Sequence, residues 1–154
     1  MSPPRWVQDD GGRAAAGFTG EARDCVTRAI AIATGIPYAQ VYYDLHAQAL
    51  SDPRHIARLR QRYGCTVRQH TSPRHGVPRQ ISDPYLSRLG WTWTATMRIG
   101  QGCTVHLRAD ELPMGRLIVR VSKHMCAVID GVIHDTHDPS RDGTRCVYGY
   151  WRRP

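Results

Sequence analysis

The stretch Lys123–Asp138, "KHMCAVIDGVIHDTHD", decides the reading of the fold, because it specifies a β-hairpin residue by residue. Two apolar runs flank Asp130-Gly131, a dipeptide that accepts the positive φ angles of a type I′ two-residue turn. Ile129 then faces Val132, Cys126 faces Asp135 and His124 faces His137. Strand side chains alternate, so His124, Cys126, Val128, Ile133, Asp135 and His137 share one face. Within that set His124 and Asp135 are diagonal neighbours, about 7–8 Å apart at the backbone and within reach of each other's side chains. Of the other nearby acids, Asp130 belongs to the turn and is expected to bond backbone there. Asp138 alternates to the other face and precedes Pro139. Asp135 is therefore the expected partner of His124.

Outward from the hairpin, the chain from Trp91 onward is β-like. "WTWTATMRI", "CTVHL", "GRLIVRVS" and "RCVYGYW" are rich in β-branched and aromatic residues. The front half reads as helical. Val26, Ala29, Ile30 and Ala33 follow i, i+3, i+4, i+7 spacing, with Asp24 as N-cap and Gly35 placed to end the helix. Pro37 opens a second helix with Val41, Leu45 and Ala49 as its buried stripe. A third, capped by Ser51 or Asp52, ends at Gly64. "CTVRQH" after Gly64 is a strand candidate, "TSPRHGVPR" a loop, and "SDPYLSRLG" one more short helix. Helices first and strands afterwards predict an α+β domain with N-terminal helices packed on a C-terminal antiparallel sheet.

The chain of 154 residues fits one domain. Residues 1–16, rich in Pro, Gly and charge, read as a flexible arm ahead of a domain spanning 17–154. That arm lacks the apolar segment of a secretory signal, and nothing approaches about 20 consecutive apolar residues, so a cytoplasmic location away from membranes is expected. Five cysteines with no Cys-x-x-Cys pair read as free thiols in a reducing compartment. The net charge of +8 comes from 21 basic residues of which Lys123 alone is lysine. Arginines suit phosphates or acidic partners, yet here they are scattered, so nucleic acid is the less favoured partner. The sequence gives no oligomeric state. "HDTHD" offers metal-ligating residue types, but alternation puts His134 on the opposite face from Asp135 and His137, so no metal or other cofactor is expected.

The second informative stretch is "RDCVTRAIAIATG", Arg23–Gly35. Cys25 stands in the first turn of a helix, where the helix dipole favours a thiolate. An imidazolium from His124 would favour it further, and Asp135 would hold the imidazole tautomer, giving a nucleophile, a base and an orienting acid. Helix-start N–H groups could serve a developing oxyanion. Arg28 is expected to face solvent, and the remaining cysteines to be small packing residues.

The order of "DCVTRAIAIATG" at a helix start, then the late "HMCAVIDGVIHDTHD" hairpin, resembles the papain-like cysteine peptidase superfamily, in particular its small bacterial and phage proteins. "CVTRAIA" also looks like the nucleophile motif of OTU deubiquitinases on the same fold. The resemblance implies a cysteine peptidase or isopeptidase with a peptide or protein substrate, in which Cys25 is nucleophile, His124 base and Asp135 third member. The chain has no asparagine for that third role. Where the family places an oxyanion glutamine, six residues before the cysteine, stands Thr19. Gln8 is the sole glutamine upstream of Cys25, and Gln8, Thr19 and Asp24 are the candidates for supporting the site. The alternative is a weakly catalytic papain-fold module that binds or inhibits an acidic protein or nucleic acid.

Overall fold

The computed structural model describes residues 5–154. Its elements run β1 (Arg5–Gln8), α1 (Cys25–Thr34), α2 (Tyr38–Ser51), α3 (Pro53–Tyr63), α4 (Arg79–Arg88), β2 (Thr92–Ala95), β3 (Arg116–Val121), β4 (His124–Ile129), β5 (Val132–Asp135) and β6 (Val147–Arg152). The strands form one mixed sheet in the order β1-β5-β4-β3-β6-β2. The domain is α+β.

The predicted hairpin has its predicted register. Val128 pairs with Ile133 and Ile129 with Val132, and Asp130 and Gly131 take φ of 48° and 80°, as a type I′ turn requires. Asp130 also accepts the Gly115 N–H at 2.9 Å, tying the turn to the start of β3. The first three helices agree with their signals. Gly35 ends α1 at φ 77° by donating to the Ala31 carbonyl. Val41, Leu45 and Ala49 of α2 are buried, and the Asp52 carboxylate accepts the His55 N–H to cap α3.

The sheet separates two apolar layers. On one face Val26, Ala29 and Ile30 of α1 pack with Ile118, Met125 and Ala127 and with buried side chains of α2 and α4. On the other, Val119, Cys126, Val128 and Ile133 pack beneath Leu107 and Leu112. Gly149 on β6 lets the sheet edge close, because a Cβ there would stand 2.3 Å from the Trp93 ring.

Several expectations are corrected. "CTVRQH" is not a strand: Gly64–His70 forms a 3-10 turn with no buried residue, since β-branched residues make a strand only where a neighbouring edge accepts their backbone. "CTVHL" supplies only one bridge, His106 to Cys146. Within the flexible arm expected over 1–16, Arg5–Gln8 is a strand parallel to β5. Its partner lies more than a hundred positions away, beyond any local pattern, and the pairing makes the sheet mixed rather than antiparallel. Residues 1–4 of that arm lie outside the described residues. Finally, the thiols are not all free: Cys103 and Cys146 form a disulfide, with Cα atoms 5.7 Å apart, while Cys25, Cys65 and Cys126 stay unpaired. The folding of residues 96–106 over β6 brings that pair together, a tertiary contact that cysteine spacing does not encode. Of the cysteines expected to be small packing residues, only Cys126 is buried; Cys65 is exposed.

Candidate active site

The first turn of α1 meets the end of the sheet where β4 begins and β5 ends. Cys25, the first residue of α1, therefore faces His124, the first of β4, and Asp135, the last of β5. His124 Nε2 donates to Asp135 Oδ2 at 2.6 Å. That leaves Nδ1 for the Cys25 sulfur, and His124 is the strongest influence lowering the thiol's pKa. The three sequence-predicted residues are thus brought together in the order thiol, imidazole, carboxylate. Asp138 is elsewhere engaged, accepting the Ser140 N–H at 2.9 Å.

The electrostatics follow from these contacts. Burial opposes a Cys25 thiolate, yet the thiol is held below its ordinary value because the His124 hydrogen bond and charge, the Met125 backbone N–H and the Arg28 charge together outweigh burial. Burial likewise opposes the His124 imidazolium, but bonds and charge from Asp135 and Cys25 raise its pKa to about 9. Asp135 is buried, which favours its neutral form, but His124, the Thr136 N–H and Arg28 hold its pKa below the carboxylate value. These contacts favour a thiolate–imidazolium pair relative to the isolated groups.

Arg28 corrects an expectation. Rather than facing solvent it is only 9% exposed, with Nη1 donating to Asp24 and Nη2 to Asp135 Oδ1 at 3.2 Å. It links the carboxylate preceding Cys25 to the carboxylate behind His124. Asp24 occupies the N-cap position of α1 but makes no side-chain cap bond. Its oxygens instead take Arg28, the Tyr38 hydroxyl and, at 3.5 Å, Arg13. Arg13 also donates to the Thr19 and Gly20 carbonyls, at 3.1 and 2.9 Å, so it clamps the segment entering Cys25. Arg13 escaped sequence reasoning entirely. For Arg28 the signal was the i, i+4 spacing from Asp24, which the sequence offers but which surface pairs share.

The remaining candidates do not reach the thiol. Gln8 lies exposed on β1 with Asp135 as its ladder partner, and Thr19 is exposed, engaged through its carbonyl. Neither borders the cavity of about 300 Å³ that opens at Cys25 and His124. That cavity is smaller than the cleft of about 640 Å³ beside it, but it is the one that contains the thiol. As the first residue of α1, Cys25 has a backbone N–H with no intrahelical acceptor, aimed outward from the helix start. The ligand atoms of His124, Asp135 and His137 lie within 4.8 Å of one another, so a metal ion could be held there only by displacing the His124–Asp135 bond.

Comparison with known protein families, curated proteins and solved structures gives no match to this chain. Among the described residues, no helix is long and apolar enough to cross a membrane.

Proposed function

We propose that the chain is a papain-like thiol hydrolase that cleaves a peptide or isopeptide amide through an acyl-enzyme. The carrying observation is the convergence of Cys25, His124 and Asp135, with His124 hydrogen-bonded to Asp135 and the thiol held below its ordinary value at a helix N-terminus. The packing of α1 against β4 supports a papain-like assignment of the α+β fold, because it joins a nucleophile-bearing helix to a base-bearing strand. In the reaction the Cys25 thiolate adds to the carbonyl carbon, and the displaced electron pair moves to oxygen, toward the Cys25 N–H. The imidazolium gives its Nδ1 proton to the amine as the C–N bond breaks. Neutral His124 then takes a proton from water as the water oxygen attacks the thioester. The C–S bond breaks, releasing acid and restoring thiolate and imidazolium. Asp135 holds the ring throughout.

Iodoacetamide tests the activated thiol directly. At pH 6, Cys25 should be alkylated about 100-fold faster than N-acetylcysteine, an ordinary thiol whose pKa near 8.5 leaves it almost wholly protonated. Equal rates would reject the reading. Turnover of a fluorogenic peptide library, abolished by Cys25→Ala, then tests hydrolysis.

One observation favours a second reading, a papain-fold binding module: no side chain of Gln8 or Thr19 borders the cavity to assist an oxyanion. A binder would keep its biological effect in Cys25→Ala and lose affinity steeply with added salt if its partner is nucleic acid.

A further inference from the structure

The cavity at Cys25 is bordered by Arg23, Arg120, Lys123, His75 and His124, and by no aspartate or glutamate. Among these Arg120 is singular. It projects from β3 between the sheet and α4, and its side chain is only 15% exposed. Its Nε and Nη2 are sealed from solvent with no hydrogen-bond partner. Its nearest acid, Asp83 at 3.6 Å, lies beyond hydrogen-bond distance and is shared with Arg79, which holds it at 3.2 Å. A buried guanidinium so poorly answered is costly, and proteins ordinarily surround one with carboxylates. Arg120 borders the cavity, and Nη1, which is not sealed in this way, is the nitrogen left to donate there. Burial lowers the Arg120 pKa, Asp83 opposes that, and Arg79 and then Cys25 act more weakly. Lys123, at φ 55° in the tight β3–β4 turn, adds a second cation directly before the base His124.

We infer that this cavity is a carboxylate-binding subsite, with Arg120 and Lys123 as its anion-holding residues, which selects substrates carrying an acidic group next to the bond that Cys25 attacks. The inference rests on the thiol-hydrolase reading and names its substrate class. The carboxylate has two chemical sources, an acidic side chain adjoining the scissile amide or the free terminal carboxylate of a peptide. The open Nη1 of Arg120 can donate a charge-assisted hydrogen bond to either. The neighbouring cleft continues the same sign of charge, sharing Arg23 and His75 and adding Arg74 and His70, with Glu21 its only acid.

The test compares iodoacetate with iodoacetamide on the full chain, resolved at each cysteine by mass spectrometry. Both reagents use the same thiolate, so the ratio of their rates cancels the thiolate population and reports recognition of the probe's carboxylate. His124 attracts an anion whatever Arg120 does, so the variants decide. Wild type should show an iodoacetate-to-iodoacetamide ratio at Cys25 about tenfold above that at exposed Cys65, an energy difference of one factor of ten. Arg120→Gln and, on a residue less needed for folding, Lys123→Gln should each lower that ratio severalfold, while Arg54→Gln on exposed α3 should not. N-acetylglutamate α-amide and N-acetylglutamine, set against neutral N-acetylglutamine amide, should then slow iodoacetamide labelling of Cys25. Protection by the first alone assigns the side-chain source, and by the second alone the terminal source. A ratio at Cys25 no higher than at Cys65, or one unmoved by Lys123→Gln and a folded Arg120→Gln, overturns the subsite while leaving an activated thiol intact. Slow labelling of Cys25 by both reagents overturns the hydrolase reading itself.

Discussion

Where the sheet meets α1, Cys25 is held below its ordinary pKa; in the apolar layer on the side of the sheet away from α1, Cys126 is pushed far above it. Cys126 is buried and Cys25 half-buried, and burial opposes the thiolate at both. The difference lies in what else reaches the sulfur. Cys25 receives an imidazole, a backbone N–H and a guanidinium's charge, whereas Cys126 sits among Val119, Val128 and Ile133, and its principal charged neighbour, Asp135, repels a thiolate. A single carboxylate thus works in opposite directions: through His124 it favours charge on one sulfur, and through space it forbids charge on the other. Burial strengthens both effects by keeping water from screening them.

The contrast can be broken most severely at Arg28. Arg28→Met would leave Asp24 and Asp135 buried without their shared cation, and a cost of about 3–5 kcal/mol is expected in urea unfolding. A loss below about 1 kcal/mol would mean that the two carboxylates are adequately answered by Tyr38 and His124. Next in size, His124→Ala should slow iodoacetamide labelling of Cys25 at pH 6 by about 100-fold, to the level of an unassisted thiol, leaving Cys126 unlabelled in the folded protein as before. Asp135→Asn should slow it about tenfold by loosening the ring, whereas Asp138→Asn, a substitution in a local turn, should change it less than about twofold. Equal effects from the two would remove Asp135 from its orienting role.

The pH dependence sharpens the same contrast. Hydrolysis should rise with pH through the depressed Cys25 pKa, as the thiolate forms, and fall through about 9 as His124 loses its proton. In Cys25→Ala, NMR titration should find the His124 pKa below about 9, because one of the groups that raise it is gone. A raised pKa stabilises the fold fully below the unfolded value of about 6.5 and loses that contribution as pH rises through the folded value. In that variant the loss should therefore be complete at a lower pH.

What the sequence disclosed and what it hid divide along a physical line. The hairpin register and the His124–Asp135 pair were legible because a two-residue turn leaves one pairing, after which alternation fixes every side chain. The α1 stripe was legible from its period. Arg28 was not, since its burial depends on Asp135 from a distant strand as well as on Asp24 four residues before it, and its neighbours in sequence say nothing of Asp135. Nor was β1, whose parallel pairing with β5 leaves no local trace. The Cys103–Cys146 disulfide and the cation-rich cavity of Arg120 depend likewise on which segments come to lie together.

The strand order carries one more consequence. β6, made from residues 147–152, is an interior strand of the sheet, between β3 and β2. A nascent chain emerging from the ribosome thus exposes Cys25 early but cannot join β2 to the rest of the sheet until its 147–152 segment is free to insert, and β1 must wait for β5 before it finds a partner. Such nonlocal assembly is slow. His124 and Asp135 also reach the tunnel exit long after Cys25 does. Until α1 packs against the β4–β5 hairpin, Cys25 therefore lacks the groups that depress its pKa, and its thiol during synthesis is an ordinary one.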